Sequence, residues 1–150
     1  MQKLAMLVFV ACAASAAAQA AETETEAEYV DFIEVFVGIT HDDGENDPSL
    51  GVTYEHRFGR FGTGFIAEFT KADRRETILA VPFFWHPADP WRTVFAIGTE
   101  ISDGDESFLA RVGGSYEIEF SGWSLSPEVN VDFVDEGTVL VVGASFVWKF

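Results

Sequence analysis

The 150-residue chain contains one cysteine, Cys12, and only 9 Lys and Arg against 25 Asp and Glu. A single thiol closes no internal disulfide, so no covalent staple holds the fold. The shortage of cations, with a formal charge of -16, argues against binding to bare nucleic acid or to an anionic membrane surface. Both partners require patches of Lys and Arg. No window carries a sustained helical stripe of apolar residues, and no low-complexity tract or repeat longer than a hairpin interrupts the chain. The one apolar stretch near the N-terminus, Leu4 to Val10, is too short for a spanning helix. Disorder is equally excluded, because 48% of the residues are apolar and 15% aromatic.

The N-terminus has a basic tip at Lys3, that short apolar stretch, and small residues ending in Ala18-Gln19-Ala20. This pattern predicts a secretory signal peptide over 1–20, cleaved after Ala20. A lipoprotein signal acylated at Cys12 is the weaker alternative, since Phe9-Val10-Ala11-Cys12 matches that site poorly. Cleavage removes Lys3 and Cys12 and leaves 8 basic against 25 acidic residues, a charge of -17. Residues 21–28 read as an acidic periplasmic leader.

From Tyr29 onward the apolar residues alternate with period two, and Gly, Asp, Pro and Asn clusters recur at short intervals. Eight strands follow, near 29–41, 48–58, 61–71, 76–86, 91–102, 107–120, 123–134 and 138–150. Their connections are short enough for hairpins, which predicts one antiparallel up-and-down barrel over 29–150. One face of each strand is bulky and apolar, as in Leu140, Val142, Ala144, Phe146, Trp148 and Phe150. The other face mixes glycine with charge. Glycine weakens a strand unless crowding demands it, and the interior of a narrow barrel supplies that crowding. Strands of about 10 residues at about 3.3 Å each, tilted about 40°, rise about 25 Å, the height of a lipid-facing band. Aromatic residues cluster near strand ends, as an interfacial girdle requires. The apolar face is therefore expected to face lipid, which makes the fold an all-β, eight-stranded transmembrane barrel. The reverse arrangement, a soluble periplasmic ligand-binding barrel, buries the Phe and Trp face instead.

Phe150, with Trp148 and Phe146 at alternate positions and Gly143 upstream, looks like the C-terminal targeting signal of bacterial outer-membrane barrels. With the signal peptide and the even strand count, the chain resembles the small eight-stranded outer-membrane proteins, the class of the OmpA transmembrane domain, OmpX and OmpW. The resemblance implies a location in the outer membrane of a Gram-negative bacterium. It implies outer-membrane lipids and lipopolysaccharide as surroundings, and the barrel-assembly machinery as a partner in biogenesis. It also implies that both termini are periplasmic, so that the connections near 41–48, 72–75, 103–106 and 135–137 face outward.

The inward face is expected to hold Glu34, Glu55, Glu68, Glu100, Glu117, Glu119, Glu128 and Asp132 against Arg57, Arg92, Arg111 and Lys149. Charges in a low-dielectric lumen must pair or stay hydrated. Hairpin register sets Arg111 opposite Asp132, brings Arg92 near His86, and places Lys149 within reach of Glu34. The reading is a charge-paired, closed lumen with a structural role in the envelope, no cofactor and no catalysis. The alternatives are a narrow channel for small cations or small hydrophobic molecules, and a lipid-modifying enzyme. For the enzyme, His41, Asp42, Asp43 and Ser49 supply a Ser/His/Asp set in composition. Asp42, Asp43, Glu45, Asp47, Asp103 and Asp105 are oxygen donors suited to Ca²⁺ or Mg²⁺, without the spacing of an EF-hand.

Overall fold

The structure, a computed structural model, describes residues 29–71, 75–135 and 137–150. The expected signal peptide and acidic leader lie outside the described residues. The strands are β1 Tyr29–Asp42, β2 Glu45–Phe58, β3 Phe61–Lys71, β4 Arg75–Ala88, β5 Trp91–Ser102, β6 Asp105–Tyr116, β7 Ile118–Glu119, β8 Ser124–Val134 and β9 Gly137–Lys149. All pairings are antiparallel, and β1 pairs with β9 while β6 pairs with β8. The eight long strands thus close into an up-and-down barrel, which removes the unpaired edges an open sheet would present.

Three features differ from the sequence reading. The expected strand 107–120 is broken, and β7 is a two-residue extension paired only with β8. Its neighbour β5 starts at Trp91, after Pro90, which has no N–H with which to continue a ladder. The Glu117 amide instead donates to the Pro90 carbonyl at 2.9 Å, and β7 resumes beyond it. The loop expected from His41 to Pro48 is a two-residue turn, with Asp43 at φ 45° and Gly44 at φ 87°. Asp103 and Gly104, at φ 51° and 92°, make a second such turn. Two consecutive positive φ values define the I′ hairpin that Asp-Gly favours, and the flanking strands extend to meet it. Finally, β4 runs on to Ala88 through a bulge between Trp85 and Ala88.

Side chains alternate as expected. Val37, Leu50, Phe65, Phe69, Val81, Phe95, Val142 and Trp148 are among the exposed outward residues. Phe36, Ile66, Ile78, Phe84, Leu109 and Val141 are buried inside. Aromatic residues gather outside at the end where Tyr29 begins β1 and Phe150 follows β9. Phe61 stacks on Phe83 at 5.6 Å, Trp91 meets Tyr116 edge-on at 4.9 Å, and Phe120 stacks on Trp123 at 4.5 Å. This is called the terminal end below, and the opposite end the distal end. Two apolar clusters fill much of the interior: Ile66, Ile78, Ala80, Phe84, Val94, Ala96 and Leu109, and Phe36, Val139 and Val141, with Val134 packing against both. The inward glycines make this filling possible. Gly38 and Gly143 face each other across β1 and β9, and a Cβ on either would strike the Phe36 ring.

Candidate functional site

The inward positions at mid-height carry charge. Arg92, on β5, reaches across the lumen to Glu34 on β1 in a forked pair: Nη1 donates to Oε1, and Nη2 to Oε2 at 2.9 Å. Such parallel contacts fix geometry as well as energy. Arg92 Nη1 also lies 3.4 Å from Glu55 Oε2, Nη2 lies 3.7 Å from Glu128 Oε2, and Nε donates to Ser115 Oγ at 3.1 Å. The Phe84 ring lies 4.9 Å from the guanidinium carbon, within cation–π range. Glu128 accepts from Asn130 and Ser145, each at 3.1 Å.

Glu55 Oε1 lies 2.7 Å from His86 Nε2. Glu55 is on β2 and His86 on β4, so the contact passes over β3. It fits because β3 carries Gly62 there, where a Cβ would overlap the Glu55 carboxyl. The β4 bulge adjoins His86, whose backbone amide donates to the Arg60 carbonyl at 2.8 Å. Bulges commonly re-aim a side chain in this way.

Arg111 forms a second layer toward the distal end. Its Nε and Nη2 donate to Asp132 Oδ1 and Oδ2 at 2.6 and 2.7 Å, and its Nη1 to Glu68 Oε2 at 2.7 Å. All three side chains are buried. Glu68 Oε1 is buried too and, among the described residues, has no hydrogen-bond donor. Near the distal end Thr40, Ser49 and Thr70 form a buried hydroxyl trio, with separations of 2.5, 2.9 and 3.3 Å.

The space left is small at mid-height and larger at the terminal end. A cavity of about 20 Å³ is bounded by both arginines, Glu34, Glu68, Glu128 and Asn130, enough for a single water. A second, of about 10 Å³, borders Glu55, His86 and Arg92. Beyond them the lumen widens into a vestibule of about 570 Å³ lined by Arg57, Glu117, Glu119, Lys149, Phe120 and Trp123, among others.

The expected charged residues therefore separate into groups. Glu34, Glu55, Arg92 and Glu128 come together, as do Glu68, Arg111 and Asp132. Arg57 lies in the vestibule 3.5 Å from Asp89, and Glu119 and Lys149 are exposed there. Lys149 does not take Glu34, which Arg92 holds. Glu100 is half-buried on β5 opposite Ser107 and Ile78. The contacts outside the sequence reading include Arg92 on Glu34, Glu68 on Arg111, the hydroxyl trio, His86 on Glu55, the Asn130 and Ser145 pair on Glu128, and a cluster on the outer face. In that cluster Asp31 Oδ1 accepts from Tyr54 at 2.7 Å and lies 2.8 Å from His56 Nδ1. Asp31 and His56 share a rung of the β1–β2 ladder, so register could have exposed that pair.

His41 and Ser49 are not neighbours in chemistry. His41 is exposed with Nδ1 2.9 Å from Asn46 Oδ1, whereas Ser49 is buried among threonines. Asp42, Asp43, Glu45 and Asp47 are strung along one tight hairpin, and Asp103 and Asp105 along another. Among the described residues no three Asp, Glu, His or Cys side chains converge to hold a metal ion. Phe146, Trp148 and Phe150 project outward, while Gly143 faces inward against Phe36.

No family model matches the chain, and no curated protein matches it by sequence. Solved structures do match in fold. The N-terminal β-barrel domain of Pseudomonas aeruginosa OprF superposes with a TM-score of 0.64 at 10% identity, covering 83% of this chain and all of that one. The Yersinia pestis outer-membrane protein Ail gives 0.58 at 11% identity, covering 82% of this chain and 100% of its own. A de novo designed transmembrane β-barrel gives 0.57 at 12% identity, covering 85% and 100%. At these identities the likeness is one of fold.

Proposed function

We propose, for a chain that has the fold of the small eight-stranded transmembrane β-barrels, a structural role in the bacterial outer membrane with a lumen closed to solutes. The termini are periplasmic in this reading, and the Asp43-Gly44 and Asp103-Gly104 turns face outward. A signal peptide over 1–20 would carry the chain to the periplasm, and the aromatic girdle at the terminal end and the outward Phe146, Trp148 and Phe150 fit assembly by the barrel machinery. The observation that carries closure is the stacking of the Arg92 and Arg111 layers, each spanning the lumen, with about 20 Å³ between them. The Ser/His/Asp set of the enzyme reading does not converge, since Ser49 is buried among threonines and His41 is engaged with Asn46.

A narrow cation path is the second reading. It is favoured by five carboxylates (Glu34, Glu55, Glu68, Glu128 and Asp132) against two guanidiniums in the two layers, and by the wide vestibule on one side. Purified protein folded into planar bilayers separates the two. The closed-lumen reading expects no resolved unitary steps in KCl, and reproducible cation-selective steps overturn it. A boiling-dependent gel shift and recovery in the outer-membrane fraction test the location. Release with the soluble periplasm overturns it.

A further inference from the structure

The two charged layers hold more acid than base. Glu34, Glu55, Glu68, Glu128 and Asp132 face Arg92 and Arg111, which leaves three negative charges in excess, or two when the imidazole of His86 on Glu55 is protonated. Glu34, Glu55, Glu68 and Asp132 are each at most 2% exposed. A charge taken out of water must be paired, hydrated or neutralised. Among the described residues, Glu68 Oε1 is the one buried side-chain polar atom without a hydrogen-bond partner.

Glu68 lines the mid-height cavity of about 20 Å³. On β2, its rung partner is Gly51, and Thr53, two residues along the same face, is the rung partner of Glu34 on β1. Thr53 thus stands between Glu34 and Glu68 at the cavity wall. Gly51 leaves the space beside Glu68 open, since a Cβ there would lie 3.2 Å from the Ala67 carbonyl and 3.5 Å from the Glu68 side chain. Glu128 borders the cavity from β8. Arg92 and Arg111 border it as well, but their donors are directed at Glu34, Glu55, Ser115, Asp132 and Glu68 Oε2.

We propose that this cavity holds one small monovalent cation, of the size of Na⁺, against Glu68 Oε1, with the Thr53 hydroxyl as a neutral oxygen ligand. The inference rests on the closed-lumen reading and deepens it, because an ion held here occupies the space a path would need. A cavity the size of one water molecule admits such an ion without its hydration shell. The oxygens of the wall stand in for part of that shell, as in ion-selective filters. A divalent ion is the wrong occupant. It draws on several carboxylates at once, and among the described residues no three acidic or His side chains converge. A water molecule alone would give Glu68 Oε1 a donor but leave the excess charge in place.

The test uses the barrel refolded in detergent micelles at fixed pH and chloride, with Na⁺ exchanged for N-methyl-D-glucammonium, which is too large for the cavity. A site with a Kd of about 10 mM raises the folding equilibrium constant about elevenfold between 0 and 100 mM Na⁺, so the wild-type urea midpoint should climb with Na⁺. E68Q keeps the shape and removes the charge. Its midpoint should not respond to Na⁺ and, without Na⁺, should be no lower than that of the wild type. E119Q, in the vestibule, should respond as the wild type does. Equal wild-type midpoints in the two cations overturn the proposal, as does an E68Q barrel that keeps the Na⁺ response. A midpoint that follows pH but not Na⁺ overturns it in favour of protons as the neutralising charge. Every variant is first checked for its boiling-dependent shift. If E68Q does not close, T53V takes its place, with a weakened Na⁺ response expected and an unchanged one overturning the site. Unitary cation steps in planar bilayers defeat the closed-lumen reading itself. A silent barrel indifferent to Na⁺ defeats the ion site alone.

Discussion

Arg92 and Arg111 occupy adjacent levels of one lumen and are held in different ways. Arg111 is bonded in a fork to Asp132, its direct partner on the β6–β8 ladder, and is 4% exposed. Arg92 shares its rung with Ser115, and its carboxylates come from β1, β2 and β8 across the lumen. It is 12% exposed and lies toward the vestibule. The Arg111–Asp132 fork needs only two paired strands, whereas the third contact of Arg111, to Glu68 on β3, crosses the lumen. The carboxylates around Arg92 gather only once β1 has met β9 and the barrel is closed. One layer is thus anchored by a ladder pair, and the other takes its carboxylates from closure.

The sharpest way to break this comparison is at Arg111. Arg111→Leu leaves Glu68 and Asp132 buried without their cation, and breaking such a pair costs about 3–5 kcal/mol. The urea midpoint of the barrel in vesicles should fall steeply, or the boiling-dependent shift should vanish. R111L/E68Q/D132N removes the stranded charges and should recover most of the loss. If R111L unfolds at the wild-type midpoint, the layer does not hold the barrel.

Arg92→Gln should cost less, about 1.5–3 kcal/mol, the range for hydrogen bonds to charged groups, because Glu34 and Glu55 lie nearer the vestibule and its water. Its signature should be kinetic as well. Closure, followed as the rate at which the heat-shifted form appears on refolding, should slow in R92Q by more than the same loss of stability slows it elsewhere. Equal slowing would erase the distinction between the layers. Gly62→Ala should come next, at about 1–2 kcal/mol, since its methyl pushes the Glu55 carboxyl off His86 and the flexible end of Glu55 yields part of the way. The same urea series measures it.

The contrast between the arginines also marks what the sequence made legible. Alternation and turn spacing determine which residues share a face and a rung, so the barrel, its inward set and the Arg111–Asp132 pair were readable. So was the reason for the inward glycines, which Gly62 and Gly38 bear out through the side chains they leave room for. The partner of Glu34 was not readable. Glu34 and Arg92 are 58 residues apart and meet across the lumen, where reach depends on closure and on the side chains between. Register placed Lys149 on the rung of Phe32, beside Glu34, but its side chain ends at the open rim. The Asp-Gly pairs at 43–44 and 103–104 were a readable signal of two-residue turns. Their acidity drew a metal-binding reading, whereas the backbone needs positive φ there. His86 was placed inside from alternation, but nothing local indicated the bulge beside it or its reach to Glu55 over Gly62.

The smallest expected effect lies at the distal end, where the lumen is polar without charge. Thr40, Ser49 and Thr70 are mutually hydrogen-bonded and buried, as the charged layers are. Removing one neutral hydroxyl strands no ion, and Thr40 still lies 3.3 Å from Thr70 when Ser49 is truncated. Ser49→Ala should therefore cost about 0.5–1 kcal/mol, several times less than Arg111→Leu, although both sites are buried to a similar degree. Burial depth alone would predict equal losses, and equal urea midpoints for the two variants would show that packing rather than charge governs the lumen. The same variant probes chemistry. Among the described residues Ser49 is hydrogen-bonded to Thr40 and Thr70, and His41 is engaged with Asn46 outside, so S49A membranes should turn over phospholipid and lipid A acyl chains at the wild-type rate. A wild type that hydrolyses these lipids, and an S49A barrel that is stable but does not, would make the distal trio a nucleophile's setting and end the structural reading of this protein.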